Sequence, residues 1–490
     1  MFNRLTLVVA ALMVVAAPAF AAKDSITVGM VLEPPGLDPT SGAAAATDEV
    51  TYANVFQGLT RFGPEGQVEP DLAKSWDISP DGKVWTFHLH KGVTFQDGTP
   101  FDASVVKFSL DRINAAGSTN AQKPLYAQIE KVEVVDPQTV KIILKAPVGD
   151  FASNLAWGDA EMVSPKSIKD EATHPVGTGP FMFKDWVKGD KVDLVAYPGY
   201  WGEKPKLKSV TFKFISDPTA AFAAMMSGDV DAFPNFPALE TLKQFENNPR
   251  FKVMIGNTQG ETLLSMNHRN KYLADIRVRE AIAHAINRKD IIDGAMFGYG
   301  TPIGTHFPPF SKDYVDLTSL SAYDPALSKE LLKEAGVKDL KLRLALPPPS
   351  YARRSGQIIQ QELKAVGIDV EITNVEWAQW LSQVFKNHDF DLTIVSHTEP
   401  NDIGIYARPD YYFGYDNPGF QGLMKRLTVE TDKTKRAAML REAQAIIAKD
   451  YVNGFLFQLP KTGVANAKIM GLWKNAPTQA NDMTQVYWKD

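Results

Sequence analysis

The chain has 490 residues, no cysteine and a formal net charge of −5 at pH 7. Without cysteine there are no disulfides, thiol nucleophiles, thiolate metal sites or lipid-anchoring thiol, and the small acidic charge offers no basic face to nucleic acid. With 44% hydrophobic and 22% charged residues, the composition is that of a well-cored globular protein, long enough for two or three domain-sized units.

At the start, Arg4 precedes an apolar run from Leu5 to Ala17 and then Ala19-Phe20-Ala21, a small-x-small cleavage pattern. Residues 1–21 therefore read as a secretory signal peptide. The run is shorter than the roughly 20 apolar residues of a spanning helix, and no later stretch is apolar enough to cross a bilayer. The expectation is a cleaved, soluble periplasmic protein of a Gram-negative cell, without a lipid anchor.

Ile26 to Met30 reads as a strand entering the loop Glu33 to Pro39. From Pro70 to Ile113 the pattern is more detailed. Asp81-Gly82 marks a turn, and Val84 to His90 alternate so that Trp85, Phe87 and Leu89 share one strand face. Asp97-Gly98 marks a second turn, and Asp102 is placed to cap a helix with Val106, Leu110 and Ile113 on one stripe. His88 and His90, two apart on the strand, could face one metal, but a solvated strand face is the reading preferred, and no metal is expected.

Val132 to Val135 and Val140 to Leu144 flank Asp136-Pro137 as a hairpin. Gly177-Thr178-Gly179-Pro180 lacks the third glycine of a dinucleotide fingerprint, and Pro180 removes a donor that a phosphate cradle would need. Asp275 caps a helix with Val278, Ile282, Ala285 and Ile286 inward. Ile359, Leu363 and Val366 form a helical stripe that stops at Gly367, followed by the alternating strand Ile368 to Ile372. Trp377, Leu381 and Val384 resume helical spacing before the apolar strand Leu392 to Val395. This alternation of strand and helix argues for α/β lobes. No Walker lysine, G-x-S-x-G elbow or H-E-x-x-H helix is present, and neither an enzyme nor a cofactor is expected.

The ordered set Pro70–Ile113, Val176–Phe181, Tyr200-Trp201-Gly202, Met226–Asp231, Asp275–Ile282 and Ala285–Lys289 resembles the extracytoplasmic solute-binding proteins of peptide-type ABC importers, the dipeptide, oligopeptide and nickel group. The resemblance implies a two-lobed periplasmic binding protein fold (type II, cluster C-like), closing on its ligand like a flytrap. Lobe one would be 22–257 plus 456–490, with an extra subdomain at about 50–175, and lobe two 258–455. It also implies inner-membrane permease subunits as partners of a monomeric receptor.

The same resemblance carries the ligand anchors. Trp377 matches a family tryptophan lining the peptide cleft. Glu399 falls where peptide-binding members carry the aspartate that pairs with the ligand's α-ammonium, although Ser396 replaces the usual preceding tryptophan. Asp402 could supply that charge instead, and His397 joins the candidate set. Arg353 and Arg354 sit in the first turn of a helix, where cations oppose the dipole; an acidic partner is expected, either a neighbouring loop or a ligand carboxylate. Tyr406, Tyr411, Tyr412, Phe413 and Tyr415 could wall a pocket or stack on sugars, though core packing is the commoner use. The expected ligand is a small peptide or peptide-like zwitterion. The alternatives are an oligosaccharide, opine or other solute in the same fold, and a secreted hydrolase.

Overall fold

The computed structural model describes residues 23–399 and 402–489, so the expected signal peptide lies outside the described residues. None of the helices described is long and apolar enough to cross a membrane.

Two large sheets and one smaller sheet organise the chain. The first has seven strands in the order Phe251–Gly256, Lys461–Asn466, Ala232–Phe233, Ser25–Met30, Ser209–Phe214, Lys191–Ala196 and Phe181–Val187. The second has six, in the order Thr301–Pro302, Asn453–Gln458, Glu261–Met266, Leu392–His397, Leu340–Leu346 and Ile368–Asn374. Each is the centre of one lobe. The parallel pair Leu340–Leu346 and Ile368–Asn374 is joined by helix Ser350–Ala365, a βαβ unit. That helix buries Ile359 and Leu363 and ends before Gly367, whose φ of +93° suits a residue without Cβ.

The chain leaves the seven-stranded sheet after Gly256, joins the six-stranded sheet at Glu261, and returns between Gln458 and Lys461. The return falls later than the 455/456 boundary drawn from sequence, because Asn453–Gln458 stays hydrogen-bonded along Glu261–Met266. The two crossings touch. Gln458 Nε2 donates to Thr258 O at 2.9 Å, Leu459 N donates to Gly260 O at 2.7 Å, and the Thr258 hydroxyl donates to Leu459 O.

The smaller sheet, Ala73–Ile78, Val84–Leu89, Thr139–Leu144 and Ile129–Asp136, is antiparallel and packs on helix Ala103–Asn114. Trp85, Phe87 and Leu89 alternate inward and meet Val106, Leu110 and Ile113 in one core. Asp102 accepts from Ser104 N at 2.8 Å and caps the helix as expected. His88 bonds Asp77 at 2.9 Å on the outer face, while His90 lies 4.6 Å from the Trp201 ring, so the two serve separate surface contacts.

Gly177-Thr178-Gly179 is the joint between this subdomain and the seven-stranded sheet. Gly179 N donates to Val55 O and Phe181 N to Asn54 O, both at 2.9 Å, and Gln96 N donates to Gly177 O at 3.0 Å. The backbones approach so closely that a Cβ on Gly177 would lie 1.8 Å from Val55 O. The glycines thus serve chain packing, not phosphate binding. Gly177→Ala should destabilise the fold by about 2 kcal/mol or more, the scale of an overpacked core. Urea unfolding measures this, and an unchanged midpoint would refute the close approach.

Candidate functional site

Between the lobes lies a cleft of about 1460 Å³. The lobes also touch around it. Arg354 reaches Glu240 of the other lobe with two bonds of 3.2 Å, Gln479 Nε2 donates to Thr398 Oγ1 at 2.8 Å, and Arg436 pairs with Asp150 of the subdomain.

One wall is aromatic. Helix Trp377–Trp380 stacks its two indoles with centroids 5.1 Å apart and planes 6° from parallel. Trp380 is fixed by its Nε1 donating to Thr393 Oγ1 at 2.9 Å, which in turn donates to Ala345 O at 2.7 Å. Trp377 is half-buried and lines the cleft, as do Tyr411 and Tyr412. Past Trp380 the helix widens into a π-helical segment, Leu381–Lys386, rather than keeping the α spacing expected; such segments are frequent at functional sites. Most of the tyrosine-rich stretch is core: Tyr406, Tyr412, Phe413 and Tyr415 are buried.

The cleft narrows into a small polar recess of about 20 Å³ lined by Asp48, Trp157, Asp159, Glu399 and Gln479, among others. That volume suits one water-sized group. Glu399 and Gln479 line both recess and cleft, so the two are continuous. Asp48 comes from helix Ala45–Thr51 of lobe one, Asp159 from the 3-10 turn Gly158–Ala160 of the subdomain, and Glu399 from the end of strand Leu392–His397 in lobe two. Asp48 packs directly against Gly158, where a Cβ would come within 2.5 Å of its carboxylate.

All three carboxyls are pushed up. For Asp48 the causes are burial and then the charges of Asp159 and Glu399; for Asp159, pushed to about 8, burial and then Glu399; for Glu399, burial and then Asp402. Asp48 Oδ1 is buried without a hydrogen-bond partner. Glu399 Oε2 accepts from Thr398 N at 3.0 Å.

The remaining sequence candidates separate. Arg353 lines the cleft, with its guanidinium 3.5 Å from Glu376 and its Nε buried without a partner. Arg354 also lines the cleft, but Glu240 occupies its fork and its guanidinium lies over Phe297. His397 borders the cleft, its Nε2 3.0 Å from Tyr412 Oη, and burial pushes its pKa down to about 4. Asp402 is turned inward, with Oδ1 2.6 Å from His306 Nε2; its charge is already engaged. Sequence reading singled out neither Asp48 nor Asp159, since nothing local distinguishes them from other acids.

Residues 67–420 match the family described as Bacterial extracellular solute-binding proteins, family 5 Middle. The glutathione-binding protein GsiB of Pectobacterium atrosepticum is 35% identical over 378 residues, covering 76% of this chain and 73% of that protein. GsiB of Escherichia coli O157:H7 is 34% identical over 374 residues, 75% and 72% of the two chains. Among solved structures, the periplasmic binding protein DppA of Helicobacter pylori in complex with the peptide STSA superposes with a TM-score of 0.88 at 26% identity, covering 96% of this chain and 99% of that one. AgaA of A. tumefaciens R10, in complex with agropinic acid, gives 0.88 at 23% identity over 95% and 99%, a likeness of fold.

The raised carboxyls fix a pH response. Glu399 stands on the other lobe from Asp48 and Asp159, so separating the lobes hydrates it and removes its charge from both, lowering all three toward the usual carboxylate range; with the lobes together Asp159 is pushed to about 8. Closure of the empty protein therefore takes up protons, so the closed form is favoured in acid and loses that advantage as pH rises through about 8. Small-angle scattering of the ligand-free protein should show the radius of gyration growing between about pH 5 and about pH 8.5. A constant radius would refute the coupling.

Proposed function

The chain belongs to the bacterial extracellular solute-binding proteins of family 5, and within that family we propose that it captures a small peptide or peptide-like zwitterion with a free ammonium group. The observation that carries this reading is the recess where Asp48, Asp159 and Glu399 converge. Three carboxyls, each raised in pKa, line one recess of water-sized volume. A primary ammonium fits the volume, supplies three donors and restores all three acids to their charged form. Trp157 also lines the recess.

Proteins of this family serve ABC importers, and closure is the event a permease can recognise. An ammonium seated between the lobes gives closure its driving force, because Glu399 on one lobe reaches it together with Asp48 and Asp159 on the other only when the lobes meet. Removal of water from the recess then strengthens those attractions. Arg353 is the candidate for the ligand's carboxylate, since Glu376 holds it from one side and leaves its Nε without a partner. Trp377, with Trp380 behind it, supplies a flat apolar wall for the ligand's middle. The names of the GsiB and DppA relatives, glutathione and a peptide, agree with a free α-amine as the shared feature. Export through a cleaved leader, absence of a lipid anchor, a monomeric state and absence of turnover are parts of this same reading.

Calorimetry tests it. Glu399→Gln should lower affinity for a free-amine peptide by roughly 30-fold or more, about 2 kcal/mol, the low end of the cost of truncating one partner of a buried charge pair between two molecules. An N-acetylated peptide should bind weakly to both forms. Equal affinity of wild type and variant for the free-amine peptide would remove Glu399 from the ligand site. Tight binding of an oligosaccharide or an opine without a primary amine, or hydrolysis of the peptide, would favour the other readings.

A further inference from the structure

A second polar cluster lies inside lobe two, next to the cleft: its Asp402 raises Glu399, and ligand atoms of Asp402, His397 and Glu399 lie within 4.8 Å of one another. Glu261 opens the strand Glu261–Met266, His306 follows the strand Thr301–Pro302, and Asp402 opens the 3-10 turn Asp402–Ala407. The three are 3%, 1% and 9% exposed. His306 Nε2 lies 2.6 Å from Asp402 Oδ1 and 4.0 Å from Glu261 Oε2. Glu261 Oε2 is out of reach of solvent yet has no hydrogen-bond partner. A buried carboxylate oxygen left without a partner is costly and calls for an explanation.

The arrangement has the form of a metal site. One imidazole nitrogen and two carboxylate oxygens lie within 4.8 Å of one another. A transition metal at about 2.0–2.2 Å from such ligands holds their atoms roughly 3–4 Å apart, and the two measured separations straddle that span. The charges balance, since two carboxylates and a neutral imidazole need a divalent cation. The surroundings also orient the ring. His306 Nδ1 is 3.2 Å from Tyr406 Oη, so a proton on Nδ1 can go to that oxygen and leave the Nε2 lone pair facing the carboxylates. His397 Nδ1, 3.6 Å from Asp402 Oδ2, is a further donor within reach.

We propose that Glu261, His306 and Asp402 form a binding site for a divalent transition metal of the class that accepts mixed imidazole and carboxylate ligands, such as zinc or cobalt, inside lobe two, behind His397 of the cleft wall. Magnesium and calcium are disfavoured because they take all-oxygen shells that retain water or reach six to eight ligands. A bound ion would tie the turn carrying Asp402 to the central strand of the lobe.

The test uses the full mature chain, stripped of metal and then dialysed against zinc or cobalt chloride in the absence of any peptide. Elemental analysis should find about one equivalent retained, and the cobalt form should show visible d–d absorption that excess magnesium or calcium leaves in place. Glu261→Gln keeps the side chain's shape and removes its charge, so the variant should fold while its cobalt affinity falls at least about tenfold. No stoichiometric uptake by the wild-type chain would overturn the proposal whatever the variant does. Uptake that survives Glu261→Gln but is lost in Glu399→Gln would place the ion in the acidic recess and also overturn it. Because no peptide is present, failure here leaves the peptide reading intact, and failure of peptide binding leaves this one intact.

Discussion

Carboxyls from three parts of the chain line one recess of this molecule. Asp48 stands on the seven-stranded lobe, Asp159 on the antiparallel subdomain and Glu399 on the six-stranded lobe. Each is held there by its own local structure: a helix, a turn whose glycine admits the Asp48 carboxylate, and a strand end. None can move away without its whole unit moving. Coulomb repulsion inside a small, poorly hydrated recess therefore acts on the lobe arrangement itself, and protons or a cation are the only means of relieving it.

The other contacts between lobes are weaker. Arg354 and Glu240 are each about one-third exposed, and ion pairs of that kind contribute about 0–1 kcal/mol. The Gln479–Thr398 hydrogen bond is of ordinary strength. These contacts set the direction in which the lobes meet more than the energy with which they hold.

Elements with a local signature were legible in the chain. Asp102 and Asp275 cap their helices, Trp85, Phe87 and Leu89 point inward, and the Gly367 stop is where periodicity places it. Trp377, Arg353 and Glu399, the positions to which a resemblance to known receptors points, all line the cleft. What stayed hidden was convergence. Asp48 and Asp159 are ordinary acids in sequence, and their meaning comes from being brought opposite Glu399 across hundreds of residues. The same holds for Glu261 and His306. Asp402 carried a sequence signal, a carboxylate close to the expected anchor, but chain geometry turned it toward a histidine that no spacing rule connects with it. The Gly177 motif was legible as not a phosphate loop, while its use as a packing joint became visible only with Val55 in place.

Thr258 and its neighbours bind the two lobe crossings side by side, so the lobes share one pivot instead of two independent straps. Rotation about a common pivot has a lever arm. A small twist at Thr258 becomes a much larger arc at Glu399 and at the stacked indoles, and the angle at which the arc stops is set by whatever lies between them. Ligands of different length would therefore hold the lobes at different angles, and ligand size would be written into the outer shape that a permease meets.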